Sequence, residues 1–396
     1  MKTKLLSAAS KFMSRDQGAD WHDKVTIANI QETPYMLTDL NNVRQKCLIF
    51  KKSFPDVQLF YAIKAFSDDE VIRAVDPLVD GYDAASLAEI RQLIRLGVDP
   101  KRIAFSNPVK PEIHIEEAAK LGVEKFALQS DDEVEKIARK AQGASVYVRV
   151  KMDDAHSTVP LSVKFGCSPD IAISLLKKAK RLGLKPVGIN FHIGSQQTGF
   201  VAWGKAIEKS QDLIDEAQAE GIDATMINVG GGFPARYMPD DPGIDAVAKA
   251  INPSLNRRIA HDITYMAEPG RFIVAESSAI VGSVISIEQR AGKCWVYLDV
   301  GLFQAFLGAQ RFDPFPYPPV SLRHLAQKKS GSRSKKYVIT GPSCDSHDII
   351  CEDASLPADL KVGDRLLFPN SGAYTIVYGS EFNGFPIPRR YFIGVE

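Results

Sequence analysis

Lys64 ends the run Leu59-Phe60-Tyr61-Ala62-Ile63, which is apolar and β-prone, so its charge has to reach solvent or bond to a specific partner. Other polar residues close similar runs. Asp83 sits in "GYDAA", Arg149 near the end of "VYVRV", and His192 and Ser195 in "FHIGS". Three consecutive glycines, Gly230 to Gly232, follow "MINV", and "AEPGR" carries Glu268, Gly270 and Arg271. Taken singly, each has an ordinary reading: a strand-end lysine is usually solvated, a lone histidine is a satisfied core residue, and a Gly-rich or Pro-Gly stretch is a turn. Taken together they assemble one chemistry. A lysine in a mostly apolar setting can lose its proton and form a Schiff base with a carbonyl. A triple glycine lets backbone N–H groups approach a phosphate, to which Arg271 adds a charge. A carboxylate such as Glu268 can hold a pyridine nitrogen protonated, which makes the ring an electron sink, and His192 can stack on its face. The combination suits pyridoxal phosphate (PLP).

Such a set works only if the strands that carry it end on one rim. The runs at 60–64, 81–85, 103–107, 125–129, 146–150, 188–193, 226–231 and 265–269 read as eight short strands. Between them lie helical patterns with apolar residues three and four apart, such as "SLAEIRQLIRLG", "DDEVEKIARKA" and "DIAISLLKKAKRLG", several of which stop at Gly. Eight such alternations predict a parallel (β/α)8 barrel, whose active-site face is formed by the C-terminal ends of its strands. A doubly wound open sheet is the alternative that the alternation permits. After residue 275 the texture changes to β-rich segments, "AIVGSVISIEQ", "KCWVYLDVG", "KKYVITGPSC" and "YFIGV", which predict a separate all-β domain. The first 36 residues precede the barrel, and the pattern leaves open which unit they join.

Bulk properties narrow the function. The 396-residue chain is 45% hydrophobic and 24% charged with a formal net charge of +1, so no basic excess is present to neutralise nucleic-acid phosphates. The cluster "KKSGSRSKK" (328–336) reads as a solvated loop. Five scattered cysteines without a CxxC pair argue for a reducing compartment and against a disulfide frame or a zinc site. The opening "MKTKLLSAASKFMS" is too broken for a signal sequence, and no run approaches the ~18 apolar residues of a membrane helix. The expectation is a cytoplasmic enzyme with no resident metal.

The blocks "YAIKA", "YDAASLAEI", "FHIGSQ", "NVGGGFP", "AEPGRF", "GPSCDSHD" and "SGAYT" follow one another from about residue 35 to the C-terminus. In that order they resemble the signature blocks of the fold-type III PLP-dependent decarboxylases, which act on ornithine, lysine, arginine or diaminopimelate. "PLSVKFGC" (160–167) and "FNGF" (382–385) bring the chain nearest to the bacterial ornithine decarboxylases. The resemblance implies an alanine-racemase-like barrel over 37–275 and a β-domain made of 1–36 and 276–396. It implies that Lys64 is the Schiff-base lysine, that Glu268 pairs with the pyridine nitrogen and that His192 stacks on the ring. Ser195, Gly230, Gly231, Gly232, Gly270, Arg271 and Tyr374 would hold the phosphate, with Asp83 and Arg149 around the cofactor. It further implies a homodimer with shared sites, in which Cys344 of one subunit reprotonates the carbanion left by CO2 in the other. Asp345 would receive the substrate's distal ammonium.

Diaminopimelate-specific members carry glutamate after the cysteine, so Asp345 favours a substrate ending in a cation. L-Ornithine, giving putrescine, is the expected substrate, with L-lysine or a modified diamino acid as alternatives. Asp313 in "RFDPFPYPP" is the best match to a second pocket acid that the resemblance to ornithine decarboxylases implies, although its proline-rich setting departs from the family and suits a rigid loop equally well. Phe66 is a second departure, since related chains have asparagine there. Two other readings remain on the same fold: a racemase, which needs a second base and lacks the "GPSCD" block, and an antizyme-inhibitor-like protein without activity, in which cofactor contacts would be lost.

Overall fold

Each apolar run becomes a short parallel strand: Val57–Ala62, Gly81–Ala84, Ile103–Phe105, Lys125–Leu128, Ser145–Arg149, Lys185–Asn190, Met226–Asn228 and Thr264–Ala267. The structure is a computed structural model and describes residues 15–238, 240–257, 262–309, 315–326 and 333–395. The eight strands close into a barrel, the last pairing with the first through Ala267 opposite Leu59. Phe60, Ala104, Ala127, Tyr147, Met226 and Met266 point inward and pack together. Rings, methionines and small alanines together fill that interior as a core.

The helices between the strands start and stop on local signals. Ser86 caps Leu87–Arg95 by accepting from the Glu89 N–H, and Asp68 caps Asp69–Val75 by accepting from the Glu70 N–H. Ser130 does the same for Asp131–Lys140, whose first turn is acidic and whose last is basic, matching the helix dipole. Gly183, at φ +81°, turns the chain out of Pro169–Arg181 in a conformation that costs a side-chain-bearing residue.

Residues 44–234 and 242–273 form this unit, and residues 1–43, 235–241 and 274–396 form a second, mostly sheet unit. The second unit is organised on the 13-residue strand Ser278–Arg290, which pairs with Lys293–Leu298, Arg365–Phe368 and Tyr35–Asp39. Tyr35–Asp39 also pairs in parallel with Arg389–Ile393, so an N-terminal strand lies between one from mid-chain and one from the C-terminus. The helix Arg15–Ala28 covers these strands, its Trp21 and Val25 packing with Tyr35, Leu37, Ala279, Val281 and Leu367.

Some boundaries differ from the sequence reading. Lys64 is not in a strand: the strand stops at Ala62, and Ile63–Ala65 is a single 3₁₀ turn. His192, the triple glycine and Glu268 likewise follow their strands instead of ending them. A small antiparallel pair, Ser157–Val159 with Ser195–Gln197, was not anticipated because both segments are polar and three residues long. Residues 1–14, Asp313 and residues 328–332 of the basic cluster lie outside the described residues. Among the described residues no helix is long and apolar enough to cross a membrane, and no cluster of His, Cys, Asp or Glu could hold a metal ion.

Candidate active site

The C-terminal ends of the barrel strands gather the polar residues. The 3₁₀ turn lifts Lys64 above its strand and brings its ammonium 2.5 Å from Asp83 Oδ2. Asp83 is fully buried, and its Oδ1 has no hydrogen-bond partner among the described residues. A buried carboxylate oxygen without a donor is costly, so the site is built to receive one more polar group. Gly270 packs against the same turn, where an added Cβ would come 2.8 Å from that of Ala65.

Glu268 is buried and held from two sides. Its Oε1 accepts from Ser106 Oγ at 2.8 Å and from Asn228 Nδ2 at 2.6 Å. Ser106 also shares a hydrogen bond with the Tyr147 hydroxyl at 2.9 Å. Burial, and secondarily the negative charge of Asp83, push the Glu268 carboxyl up to about 7, against the opposing charge of Lys64. The acid can therefore hold or release a proton near neutrality, as sharing one with a pyridine nitrogen requires. A carboxyl raised in this way costs the folded chain nothing below its ordinary value of 4.5. The cost grows as pH rises through that value and levels off above about 7. Glu268→Gln, which keeps an accepting oxygen, is therefore expected to stabilise the cofactor-free chain at pH 8 by up to about 3 kcal/mol and to leave it unchanged near pH 4. Denaturant titrations at the two pH values measure this, and equal gains at both would mean that ionisation is not the cause.

His192 lies beside the triple glycine: a Cβ on Gly231 would stand 3.1 Å from its Nε2. Its Nδ1 accepts from the Gly194 N–H at 3.1 Å, which places any ring proton on Nε2. Burial, then the charges of Arg149 and Lys64, hold this imidazole well below its ordinary value, so it is neutral. A neutral ring suits stacking against another aromatic. Arg149 is itself stacked on Phe165, 4.9 Å from the ring centre.

The glycines form a cradle that no other residue would allow. Gly230 and Gly232 have φ of +70° and +97°, and a Cβ on either would meet a carbonyl oxygen, that of Phe191 at 2.1 Å or that of Gly194 at 2.3 Å. The Gly230 N–H is tied to Asn228 Oδ1 at 2.9 Å, so one asparagine links the turn to Glu268. Arg271 Nε donates to Ser195 Oγ at 3.1 Å, placing a guanidinium and a hydroxyl together. The acid, the neutral ring, the glycine cradle with its arginine and the paired lysine fit a pyridine ring bearing a carbonyl and a phosphate.

Cys344, Asp345 and Tyr374 belong to the second unit. Cys344 is exposed, and Asp345 Oδ1 accepts both the backbone N–H of His347 at 2.8 Å and a contact from His347 Nδ1 at 2.9 Å. These two bonds hold the Asp345 carboxyl below the usual range and thus ionised. Asp348 is buried and anchors the block by accepting from Leu302 N–H at 2.6 Å and from Ser343 Oγ at 2.6 Å. Tyr374 adopts φ +57° and packs near Tyr378, with ring centres 5.8 Å apart. Phe66 is buried, and its carbonyl accepts from the Tyr61 hydroxyl at 2.9 Å.

Sequence reasoning missed Ser106, Tyr147 and Asn228. Ser106 follows its strand and Asn228 ends one, so the same rule that found Lys64 would have found them. Neutral polar residues at strand ends carry no charge signal to single them out.

Comparison with known proteins bears on this site. The family model described as "Pyridoxal-dependent decarboxylase, pyridoxal binding domain" matches residues 40–275. A lysine/ornithine decarboxylase of Selenomonas ruminantium is 33% identical over 363 residues, covering 91% of this chain and 89% of that protein. Antizyme inhibitor 2 of Xenopus laevis is 33% identical over 392 residues, covering 94% of this chain and 84% of the relative. The crystal structure of a lysine/ornithine decarboxylase from Vibrio vulnificus complexed with putrescine superposes with a TM-score of 0.86. It is 28% identical and covers 97% of this chain and all of that one.

Proposed function

Because the chain belongs to the pyridoxal-dependent decarboxylases that act on basic amino acids, we propose that its substrate is L-ornithine and its products putrescine and CO2. The observation that carries this reading is the ionised Asp345, fixed by His347 beside Cys344: a held carboxylate matches a substrate that ends in an ammonium. Asp313 is proposed as a second acid for that ammonium.

The cofactor is PLP, and when bound it supplies the electron-accepting ring that takes up the pair left by departing CO2. The chain's residues do the rest. Lys64 holds the cofactor through its amine, with Asp83 keeping that side chain in place. Glu268 would keep a proton at the ring nitrogen, and neutral His192 would offer its face to the ring without withdrawing that proton. Arg271, Ser195, Tyr374 and the N–H groups of Gly230 to Gly232 bind the phosphate, backed by Gly270, and Arg149 adds positive charge beside the ring. Cys344 then delivers a proton to the carbon that lost its carboxylate, the thiol acting as general acid. A homodimer supports this scheme, Cys344 and Asp345 of one subunit serving the barrel of its partner.

L-Lysine is the second reading, favoured by the substrates in the name of the Selenomonas relative. One methylene is worth only ~1–3 kcal/mol to a pocket. The test is CO2 release and product mass for L-ornithine, L-lysine, L-arginine and meso-diaminopimelate side by side. The expected result is the highest kcat/KM for ornithine, with lysine ~10–200-fold lower. A higher kcat/KM for arginine, or only trace turnover of all four, would reject ornithine as the substrate.

A further inference from the structure

We infer that Asn383 is a positioning residue for the Cys344 thiol, its side-chain amide oxygen accepting the S–H and fixing where that hydrogen points. The inference rests on the proposed donor role of Cys344. Asn383 Oδ1 lies 3.3 Å from the Cys344 backbone nitrogen and 3.4 Å from Cys344 Sγ. A backbone N–H can only donate, so the amide atom facing both groups is the oxygen and not the nitrogen. With an accepting oxygen there, the sulfur must be the donor. One side chain thus fixes both the backbone and the thiol of the same residue.

The turn that carries Asn383 is built for this reach. Asn383 has φ +56° and ψ +17°, the left-handed region in which asparagine is one of the few tolerated side chains, and Gly384 follows at φ +77°. The neighbouring Phe382 packs on Phe303 with ring centres 4.6 Å apart, and the Ser380 N–H donates to the Phe303 carbonyl at 2.9 Å. Phe303 adjoins Leu302, whose N–H is held by the same Asp348 that holds Ser343 beside Cys344. The segments bearing the asparagine and the cysteine are therefore tied to each other through a third. In the reaction the S–H bond breaks, its proton passes to the carbon vacated by CO2, and the thiolate is refilled from solvent. Asn383 sets where that proton waits.

Asn383→Gly removes the amide while keeping a residue that accepts the backbone conformation. Cys344 is exposed, whereas Cys47, Cys167 and Cys294 are buried and Cys351 is half-buried, so its reactivity can be followed by peptide mass spectrometry. In the holoenzyme at fixed pH, alkylation of Cys344 by iodoacetamide is expected to be ~3–10-fold faster in the variant, because the sulfur is no longer held against the amide and is free to meet the reagent. kcat is expected to fall by a similar ~3–10-fold with KM within ~2-fold, and Asn383→Asp, which keeps an accepting oxygen, to restore kcat. In a Cys344→Ala background, Asn383→Gly should cost nothing further. Unchanged alkylation and kcat, or an equal loss with and without Cys344, would overturn the inference. Full activity in Cys344→Ala would instead overturn the donor role, and the alkylation rates would still decide whether Asn383 holds the thiol.

Discussion

Lys64→Ala is expected to lower kcat by about 10³-fold or more and to abolish the visible absorption of the covalently held cofactor. An amine fixed 2.5 Å from Asp83 beside the glycine cradle is replaced by whatever amine solvent supplies. Well-oriented groups act at effective concentrations of ~10⁵ M and above, so the expected loss is a lower bound. Stability should fall as well. Asp83 is fully buried and already has one oxygen without a partner among the described residues, so removing Lys64 strips the other. Breaking a fully buried pair costs about 3–5 kcal/mol, and because Lys64 is 39% exposed we expect roughly 1–2 kcal/mol here. Adding Asp83→Asn should return the melting temperature but not the activity. Recovery of turnover in that double variant would show that Lys64 serves the fold alone.

The second large effect is a gain. Subunits carrying Lys64→Ala and subunits carrying Cys344→Ala are each expected to retain only residual activity, and co-expression of the two should restore about a quarter of wild-type activity. Random pairing makes half of the dimers mixed. In each mixed dimer one site combines both substitutions and the other neither, so half of the sites in half of the dimers work. Activity no higher than that of the parents would reject a site shared between subunits. The measurement also places the proton donor, since complementation needs Cys344 and Lys64 to act from different chains.

The barrel was legible because its signals are local. Each strand is a short apolar run, and several helices begin on a serine or aspartate whose side chain caps them, as at Asp68, Ser86 and Ser130. The second unit was legible only as β-rich texture. Tyr35–Asp39 shows no long alternation, and its partners are about 240 and 350 residues away, so nothing near it in sequence announces a strand. At the candidate site, charged and glycine residues stood out, and the structure gathers Lys64, Asp83, Glu268, His192 and the glycines at one end of the barrel. What escaped were neutral partners whose importance comes from neighbours in space: Ser106 and Asn228 on Glu268, and Asn383 on Cys344. Asp348, given no role from the sequence, is the buried anchor of the cysteine block because the segments at Gly301–Leu302 and Gly341–Ser343 both converge on it.

The strand Tyr35–Asp39, seated between Ser278–Arg290 and Arg389–Ile393, has a consequence for how the chain is made. Its register joins Tyr35 to Arg389, 354 positions later, so this strand leaves the ribosome long before that partner. At ~5–20 residues per second that interval is roughly 20–70 s. Over it, all eight barrel strands emerge, from Val57 to Ala267, before either partner of Tyr35–Asp39 has been made, and Arg389–Ile393 comes about 100 residues after the other. A nascent chain thus carries an unpaired strand edge until Arg389–Ile393 emerges, and removal of that strand would leave the edge open permanently.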